Sequence, residues 1–513
     1  MSRLRSRSGP VRSLVTVLVL VVVALVFASS APAQVASGSR RPNVIIILAD
    51  DLGYGELGCY GQAKIRTPNI DRLAAEGMRF TRHYSGSPVC APSRCVLLTG
   101  KHTGHSFIRD NREVGGWGPE DAEGQWPLAD EETTLAEVVR ELGYATCAVG
   151  KWGLGGPGST GHPCVQGFDH FYGYLCQRVA HNYYPTHLWR NHDVDVQHGN
   201  RYFSAHQRIN APLENEQAYE RFRGGDYAPA AIAEEAITFI RDHREGPFLL
   251  HYASIIPHLA LQAPQPYVER YPRQWDPAPY LGDRGYLPHP RPRACYAAMI
   301  SFLDDVVGRI LDTLDELGIG GRTLILFTSD NGTTYTGGCD RQFFNSLGEL
   351  RGHKGTLYEG GIRVPLIARW PGRVPAGVVS DHISGFQDVL PTIVELSGGE
   401  IPQGLDGISF APTLLGRAER QREHEHLYWE YSGGGGWQAV ILGRYKAVRR
   451  NLRKGETHIA LYDLRADPGE SRDIAADHGE IVERARRIMR QGRRPSKAFP
   501  FPALDQAAGR SGE

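Results

Sequence analysis

The sequence predicts an α/β protein: a large mixed, mostly parallel sheet sandwiched by helices, followed by a smaller C-terminal domain with an antiparallel sheet. Three observations lead there. Two short runs, Val44 to Ala49 and Thr323 to Thr328, are almost wholly apolar and β-branched, as strands buried on both faces are. Segments of helical period lie between them. Beyond about residue 415 the pattern changes to short aromatic and β-branched runs separated by glycines.

Taken in order, the chain opens with Arg3, Arg5, Arg7 and Arg12, an apolar run from Leu14 to Phe27, and Ala31-Pro32-Ala33. This is the order of a secretory signal, and residues 1–34 are expected to be removed on export to the periplasm or outside the cell, an uncleaved anchor being the alternative. The run of 14 residues is shorter than the roughly 20 that span a bilayer. No stable membrane association is therefore expected after cleavage.

The catalytic domain is expected over 40–415. Within it helices are predicted at Thr134–Leu142 with Gly143 as C-cap, at Ala230–His243, and at Ala294–Leu317 ahead of Gly318. In the last, Ile300, Leu303, Val307, Ile310, Leu314 and Leu317 recur at helical spacing and mark a core face. A C-terminal α+β subdomain is expected over 416–495, with strands at Leu427–Tyr431, Trp437–Leu442 and Tyr445–Val448 and an arginine-rich helix near 482–491. Residues 496–513 read as a flexible tail.

Charge and cysteine usage narrow the function. Lys plus Arg equals Asp plus Glu at 57 each, so there is no basic field to hold nucleic acid. Export permits disulfides among the eight cysteines, but their pairing cannot be read from spacing.

Both apolar strands end in oxygen donors: Asp50 and Asp51 after the first, Asp330 and Asn331 after the second. Four such side chains suit a hard cation, and a shell of six or more oxygens favours Ca²⁺ over Mg²⁺. An Asp-Asp pair also serves as a turn or helix cap, and Asn331-Gly332-Thr333 is formally a glycosylation acceptor. Cys90-Ala91-Pro92-Ser93-Arg94, running into Cys95 and on to Gly100, is the other notable feature. A cysteine there is either a small buried hydrophobe or a reactive group. Pro92 fits the first turn of a helix starting just after Cys90, whose N-terminus favours an anion.

Asp50, Asp51, the Cys90–Gly100 segment and Asp330-Asn331, in this order, resemble the type I sulfatases, relatives of the alkaline phosphatases. The likeness runs over most of 41–400. It also takes in Gly150-Lys151-Trp152, Gly167 to Gly173, Pro257-His258 and His353 to Pro365, and Leu461 to Glu470 resembles the family's C-terminal domain. The resemblance implies an alkaline phosphatase-like fold and one Ca²⁺ held by Asp50, Asp51, Asp330, Asn331 and residue 90. It also implies that a separate maturation enzyme oxidises Cys90 to formylglycine. One hydroxyl of the hydrated aldehyde attacks sulfur to form a covalent sulfoenzyme, and the second allows sulfate to be expelled. Arg94 and Lys151 would hold the hydrated group, His258 and Lys354 would contact sulfate, and His258 would protonate the leaving alcohol.

One position departs from the family pattern. Relatives commonly carry a histidine two residues beyond the equivalent of Lys151, where this chain has Gly153; His102, His105 and His162 are candidates to replace it. His181 to Pro185 and Tyr428 to Tyr431 combine aromatic faces with polar tips and are candidates for stacking on sugar rings. A sulfated carbohydrate is the preferred substrate over an aryl sulfate. The alternatives are a phosphomonoester, phosphodiester or phosphonate hydrolase, and a catalytically silent carbohydrate-binding relative.

Overall fold

Val44, Ile46 and Leu48 point to one side of the first strand and Ile45, Ile47 and Ala49 to the other, and both sets are buried. The computed structural model shows why: this strand lies in the middle of an eleven-stranded sheet covered by helices on both faces. The structure describes residues 41–509 except 117, 119, 120 and 122, so the export segment lies outside the described residues. One face packs on helices Pro68–Ala75, Ala228–Asp242 and Pro292–Glu316, the other on Cys90–Thr99, Leu135–Glu141 and Val389–Leu396.

The strands are β1 (Asn43–Ala49), β2 (Met78–Tyr84), β3 (Ala145–Lys151), β4 (His170–Tyr174), β5 (His187–Arg190), β6 (Asp193–Val196), β7 (Phe248–Ala253), β8 (Thr323–Ser329), β9 (Arg363–Arg369), β10 (Val378–Ser380) and β11 (Ser384–Gly385). Their order is β10-β2-β9-β8-β1-β7-β3-β4-β5-β6, with β11 beside β2. The central run β8-β1-β7-β3-β4 is wholly parallel, and antiparallel pairs appear only where β9 and β5–β6 flank it. In such a sheet ligands bind beyond the carboxyl ends of the strands. The mixed, mostly parallel α/β architecture is as predicted.

The helices begin and end for local reasons. Thr134 caps Leu135–Glu141 by accepting from the Glu137 N–H at 3.3 Å, while the Glu137 carboxylate accepts from the Thr134 N–H at 2.8 Å. The long helix starts at Pro292, two residues before the predicted Ala294, because proline is favoured in a first turn. Gly318, at φ +65°, lies just beyond its end.

After residue 415 the smaller sheet forms from β12 (Leu427–Tyr431), β13 (Trp437–Leu442), β14 (Tyr445–Arg449) and β15 (Ala460–Asp463), all antiparallel. Leu427, Trp429 and Ile441 pack toward Tyr84, Leu357 and Ile362 of the larger domain. The opposite face, with Tyr428 and Val440, is covered by helix Gly479–Gln491 through Ala485 and Met489. The tail expected to be loose from 496 is in part ordered: Pro502–Gly509 is helical, and Phe501 and Leu504 are buried against Leu452. The apolar side chains of Phe501 and Leu504 anchor it. None of the eight cysteines is in a disulfide. Among the described residues no helix is long and apolar enough to cross a membrane.

Candidate active site

Four adjacent parallel strands deliver one or two polar side chains each to the same end of the sheet. β8 leads into Asp330 and Asn331, β1 into Asp50 and Asp51, β3 ends on Lys151, and β7 leads to His258 five residues beyond its last residue. Helix Cys90–Thr99 starts beneath them, presenting Cys90 from its first residue and Arg94 one turn on. Lys354 arrives on the loop before β9. All nine of these candidate site residues converge, and eight are buried; Lys354 retains slight access.

The contacts form one network. Lys151 Nζ donates to Asp50 Oδ2 at 2.6 Å, and the Arg94 guanidinium donates to Asp330 Oδ2 at 2.8 and 3.1 Å. Lys354 Nζ lies 2.7 and 2.8 Å from the two oxygens of Asp51. The Cys90 Sγ sits between Asp50 Oδ1 at 3.5 Å and Lys354 Nζ at 3.4 Å. His258 donates from Nδ1 to the Leu259 carbonyl at 2.6 Å, which turns Nε2 toward Asp51 Oδ2 at 3.7 Å.

Asn331 tests whether a cation belongs here. Its Nδ2 donates to Asp51 Oδ1 at 2.8 Å, which leaves its Oδ1 buried without a hydrogen-bond partner. Such an acceptor is what an oxygen-ligated cation uses. Three carboxylates and three cationic side chains balance in charge, so a divalent cation would leave a net positive site suited to an anion. Burial and the charge of Asp50 push Asp330 up to about 6, the sign of carboxylates crowded together. Burial opposes ionisation of Asp50 too, but Lys151, His258, Arg94 and Lys354 outweigh it and hold its carboxyl well below the usual range. Asp50, Asp51, Asp330 and Asn331 fit a hard divalent cation. Burial also makes the Asn331-Gly332-Thr333 sequon inaccessible to glycosylation.

Burial pushes the Cys90 thiol up to about 12 despite Lys151 and Lys354, so as a thiol it is a poor nucleophile. Burial and then Lys354 push His258 down to about 4, which keeps it neutral in the free site.

Three proposed substitutes for the histidine missing at Gly153 are not in this site. His102 and His105 stack on one another and face Asp406, with His105 Nδ1 2.8 Å from the carboxylate. His162 bonds the Asn191 carbonyl and stacks on His192. Gly153 itself has φ +83°, and a Cβ there would meet Gln177 Cγ at 2.8 Å. Gln177 therefore occupies that space, its Nε2 3.4 Å from Asn111 Oδ1, which in turn accepts from the Ala91 N–H at 2.9 Å.

The two aromatic segments separate. Tyr428 and Trp429 are buried in the sheet packing, with the Trp429 indole donating to the Ser85 carbonyl, and Tyr183 and Tyr184 are core. His181 alone among them stacks on His258, at 4.6 Å between ring centroids and 15° between planes. Tyr286, which packs edge-on against His258 at 5.8 Å, was not foreseen; an isolated tyrosine in a glycine-rich loop carries no sequence signal.

A buried pocket of paired carboxylates and cationic side chains at the carboxyl edge of a parallel sheet is the site of a hydrolase on the alkaline phosphatase-like fold. The family model described as Sulfatase matches residues 42–399, and that described as N-sulphoglucosamine sulphohydrolase, C-terminal, matches 351–493. Arylsulfatase G of Rattus norvegicus is 33% identical, with 88% of this chain and 86% of that protein covered. N-acetylgalactosamine-6-sulfatase of Canis lupus familiaris is also 33% identical, covering 82% of this chain and 74% of its own. The crystal structure of Ps i-CgsB in complex with k-i-k-neocarrahexaose matches with a TM-score of 0.70 at 25% identity, covering 92% of this chain and 97% of that one. The chain belongs to the sulfatase family and is a sulfatase.

Proposed function

We propose that this chain is an exported, Ca²⁺-dependent sulfatase that removes sulfate from a sulfated carbohydrate, with residue 90 acting as formylglycine. The observation that carries this is the position of Cys90, at a helix start between Lys354 and Asp50 and beside the four oxygen-bearing side chains of Asp50, Asp51, Asp330 and Asn331. The carbohydrate preference draws on relatives whose names specify N-acetylgalactosamine-6-sulfate and a neocarrahexaose complex.

When bound, Ca²⁺ on Asp50, Asp51, Asp330 and Asn331 would offset the charge of the ester and polarise it. Converted by a separate maturation enzyme, residue 90 supplies a hydrated aldehyde, one hydroxyl to attack sulfur and one to release sulfate. Lys151 and Arg94 hold the carboxylates in place and keep the pocket positive. Lys354, which already reaches the Cys90 Sγ, is placed to steady the nucleophile and to meet charge growing on sulfate. His258 keeps Nε2 toward the substrate because Nδ1 is tied to Leu259. An anionic ester arriving between His258 and Lys354 raises the proton affinity of His258 and readies it to protonate the leaving alcohol.

The test is expression with a formylglycine-generating enzyme, mass spectrometry of the peptide containing residue 90, and turnover on matched sulfate and phosphate esters. The expected result is an aldehyde at 90 and hydrolysis of sulfated saccharides, with Cys90→Ala inactive. Full activity with an intact thiol, or preference for phosphate or phosphonate esters, overturns the reading. Activity that survives Cys90→Ala places the chemistry elsewhere.

A further inference from the structure

We propose that a second anion-binding site flanks the catalytic centre, in the cavity bordered by Arg284, Arg341 and Tyr335, and that it takes another sulfate or carboxylate of a multiply charged saccharide. This rests on the sulfatase reading and specifies its substrate as polyanionic.

The cavity, of about 520 Å³, is lined by Trp275, Tyr280, Arg284, Arg293, Tyr335 and Arg341, among others. Two segments join it to the centre. Tyr335 packs on His353 at 4.2 Å between centroids, and the next residue is Lys354, which bonds Asp51 and Cys90. Arg284 lies two residues before Tyr286, whose ring meets both His258 and His181, and the Gly337 N–H donates to the Arg284 carbonyl at 3.2 Å. The segments that bring Tyr286 and Lys354 to the catalytic centre thus also carry Arg284 to the cavity and support Tyr335 there.

Its charge is not balanced internally. Two carboxylates, Asp276 and Asp340, line the cavity, but both are engaged. Asp340 accepts from Arg293 at 2.7 and 2.9 Å, and Asp276 accepts from the Arg293 N–H at 2.7 Å with Arg291 3.7 Å away. Arg284 and Arg341 form no ion pair among the described residues. Arg341 makes only a long bond to the Gly352 carbonyl at 3.5 Å, and the exposed Arg284 stands 5.9 Å over the Tyr280 ring. Asp283, next to Arg284, is exposed and makes no ion pair with it. The planar guanidinium fork suits sulfate and carboxylate oxygens.

The aromatic lining fits a sugar rather than a bare anion. Tyr335 is 50% exposed, an apolar face of the kind on which a pyranose ring stacks. A saccharide whose scissile sulfate sits at residue 90 would thus bring a neighbouring charged unit past Tyr335 to the two arginines.

The experiment uses the full chain in two forms. Binding of a fully sulfated heparin tetrasaccharide is measured by calorimetry on the unconverted Cys90 protein, where nothing turns over. Matured protein is assayed with 4-nitrophenyl sulfate, which is too small to reach the second site. In Arg284→Ala/Arg341→Ala the tetrasaccharide Kd is expected to rise about tenfold for each arginine removed, and its salt dependence to flatten. The Arg284→Lys/Arg341→Lys protein should retain part of the binding. Turnover of 4-nitrophenyl sulfate should stay within about twofold of wild type, which also shows that the variant folds. Wild type that fails to bind the tetrasaccharide, or an unchanged Kd in the alanine variant, overturns the proposal. If binding falls as expected but matured wild type hydrolyses no sulfate ester, the anion site stands and the sulfatase reading falls.

Discussion

Asn331 and Gly153 carry the most information about the site. The first leaves a buried acceptor unpartnered, and a group so placed costs about 1–3 kcal/mol unless something binds it. Asn331→Leu is therefore expected to weaken Ca²⁺ binding by at least about 10–100-fold. Titrating chelator-stripped, matured enzyme with Ca²⁺ checks this: the concentration for half-maximal activity should rise, with activity recovered at excess Ca²⁺. An unchanged midpoint would remove Asn331 from the cation shell. At Gly153 the backbone is left-handed at φ +83° and the neighbouring space is filled by Gln177. Gly153→Ala is expected to cost about 1–3 kcal/mol from backbone conformation alone, and more from the contact at 2.8 Å. Urea unfolding of Gly153→Ala, Gln177→Gly and the double variant separates the two effects: the double variant should regain the contact cost and keep the backbone cost. The sequence marks 153 as an exception but does not show that Gln177 fills it, because that contact is made by chain folding back from beyond β4.

Among the elements, β14 ties the small domain to the segment that follows Lys354. Its Lys446 is fully buried, 2.8 Å from Glu359 and 3.1 Å from Glu470. Glu359 opens a helical turn five residues after Lys354, and its N–H donates to Glu470 at 2.6 Å, so the small domain clamps the loop that carries Lys354. Burial, with the nearby Glu359 carboxylate, pushes Glu470 up to about 7 against the pull of Lys446. Lys446→Met removes the cation that contacts both buried acids, leaving only Arg363 at 3.4 Å from Glu359 among the described residues, and a loss of about 3–5 kcal/mol is expected. Adding Glu359→Gln and Glu470→Gln should return much of it, as denaturant midpoints would show. The strands vary in how plainly the sequence displays them. β1 from Val44 to Ala49 and β8 from Leu324 to Phe327 are apolar runs, with both faces buried. β7 contains His251, and β3 contains Thr146, Cys147 and Gly150, so neither shows a run or an alternation. Lys151 ends β3 and His258 lies five residues beyond β7, and only family likeness marks them in the sequence. Sheet order, which sets β7 and β3 beside β1, depends on pairings between residues some 100 to 280 apart and has no local signature.

Burying so much of a neutral chain also determines how it responds to acid. His83, His251 and His289 are pushed down to about 3 chiefly by burial, and each has one ring nitrogen buried without a partner. Protonation would place an unpaired charge in the core. These groups stay neutral when folded but titrate near 6.5 when unfolded, so the unfolded chain binds more protons between those values. Stability they contribute is complete above about pH 6.5 and lost as pH falls toward about 3. Buried carboxyls act in the opposite sense. Glu56 and Glu470 at about 7 and Asp304 at about 6 are raised by burial, so between those values and the ordinary 4.5 or 3.8 the folded chain holds protons that the unfolded chain has lost. Between about pH 6.5 and 4.5 the two sets oppose one another, so the three carboxyls offset part of what the three histidines remove from the urea-unfolding free energy at saturating Ca²⁺. Below about 4.5 the contribution of Glu56 and Glu470 is exhausted while Asp304 still acts down to 3.8, and each of the three histidines removes roughly 1.4 kcal/mol per pH unit. His83→Asn is the discriminating variant, because Asn keeps a partner for Ser384, which lies 2.9 Å from His83 Nδ1, and cannot titrate. Its stability should fall less steeply than wild type around pH 4, by about that amount per unit. Identical slopes would mean that His83 is already protonated in the folded protein, and that burial is not what sets its acid response.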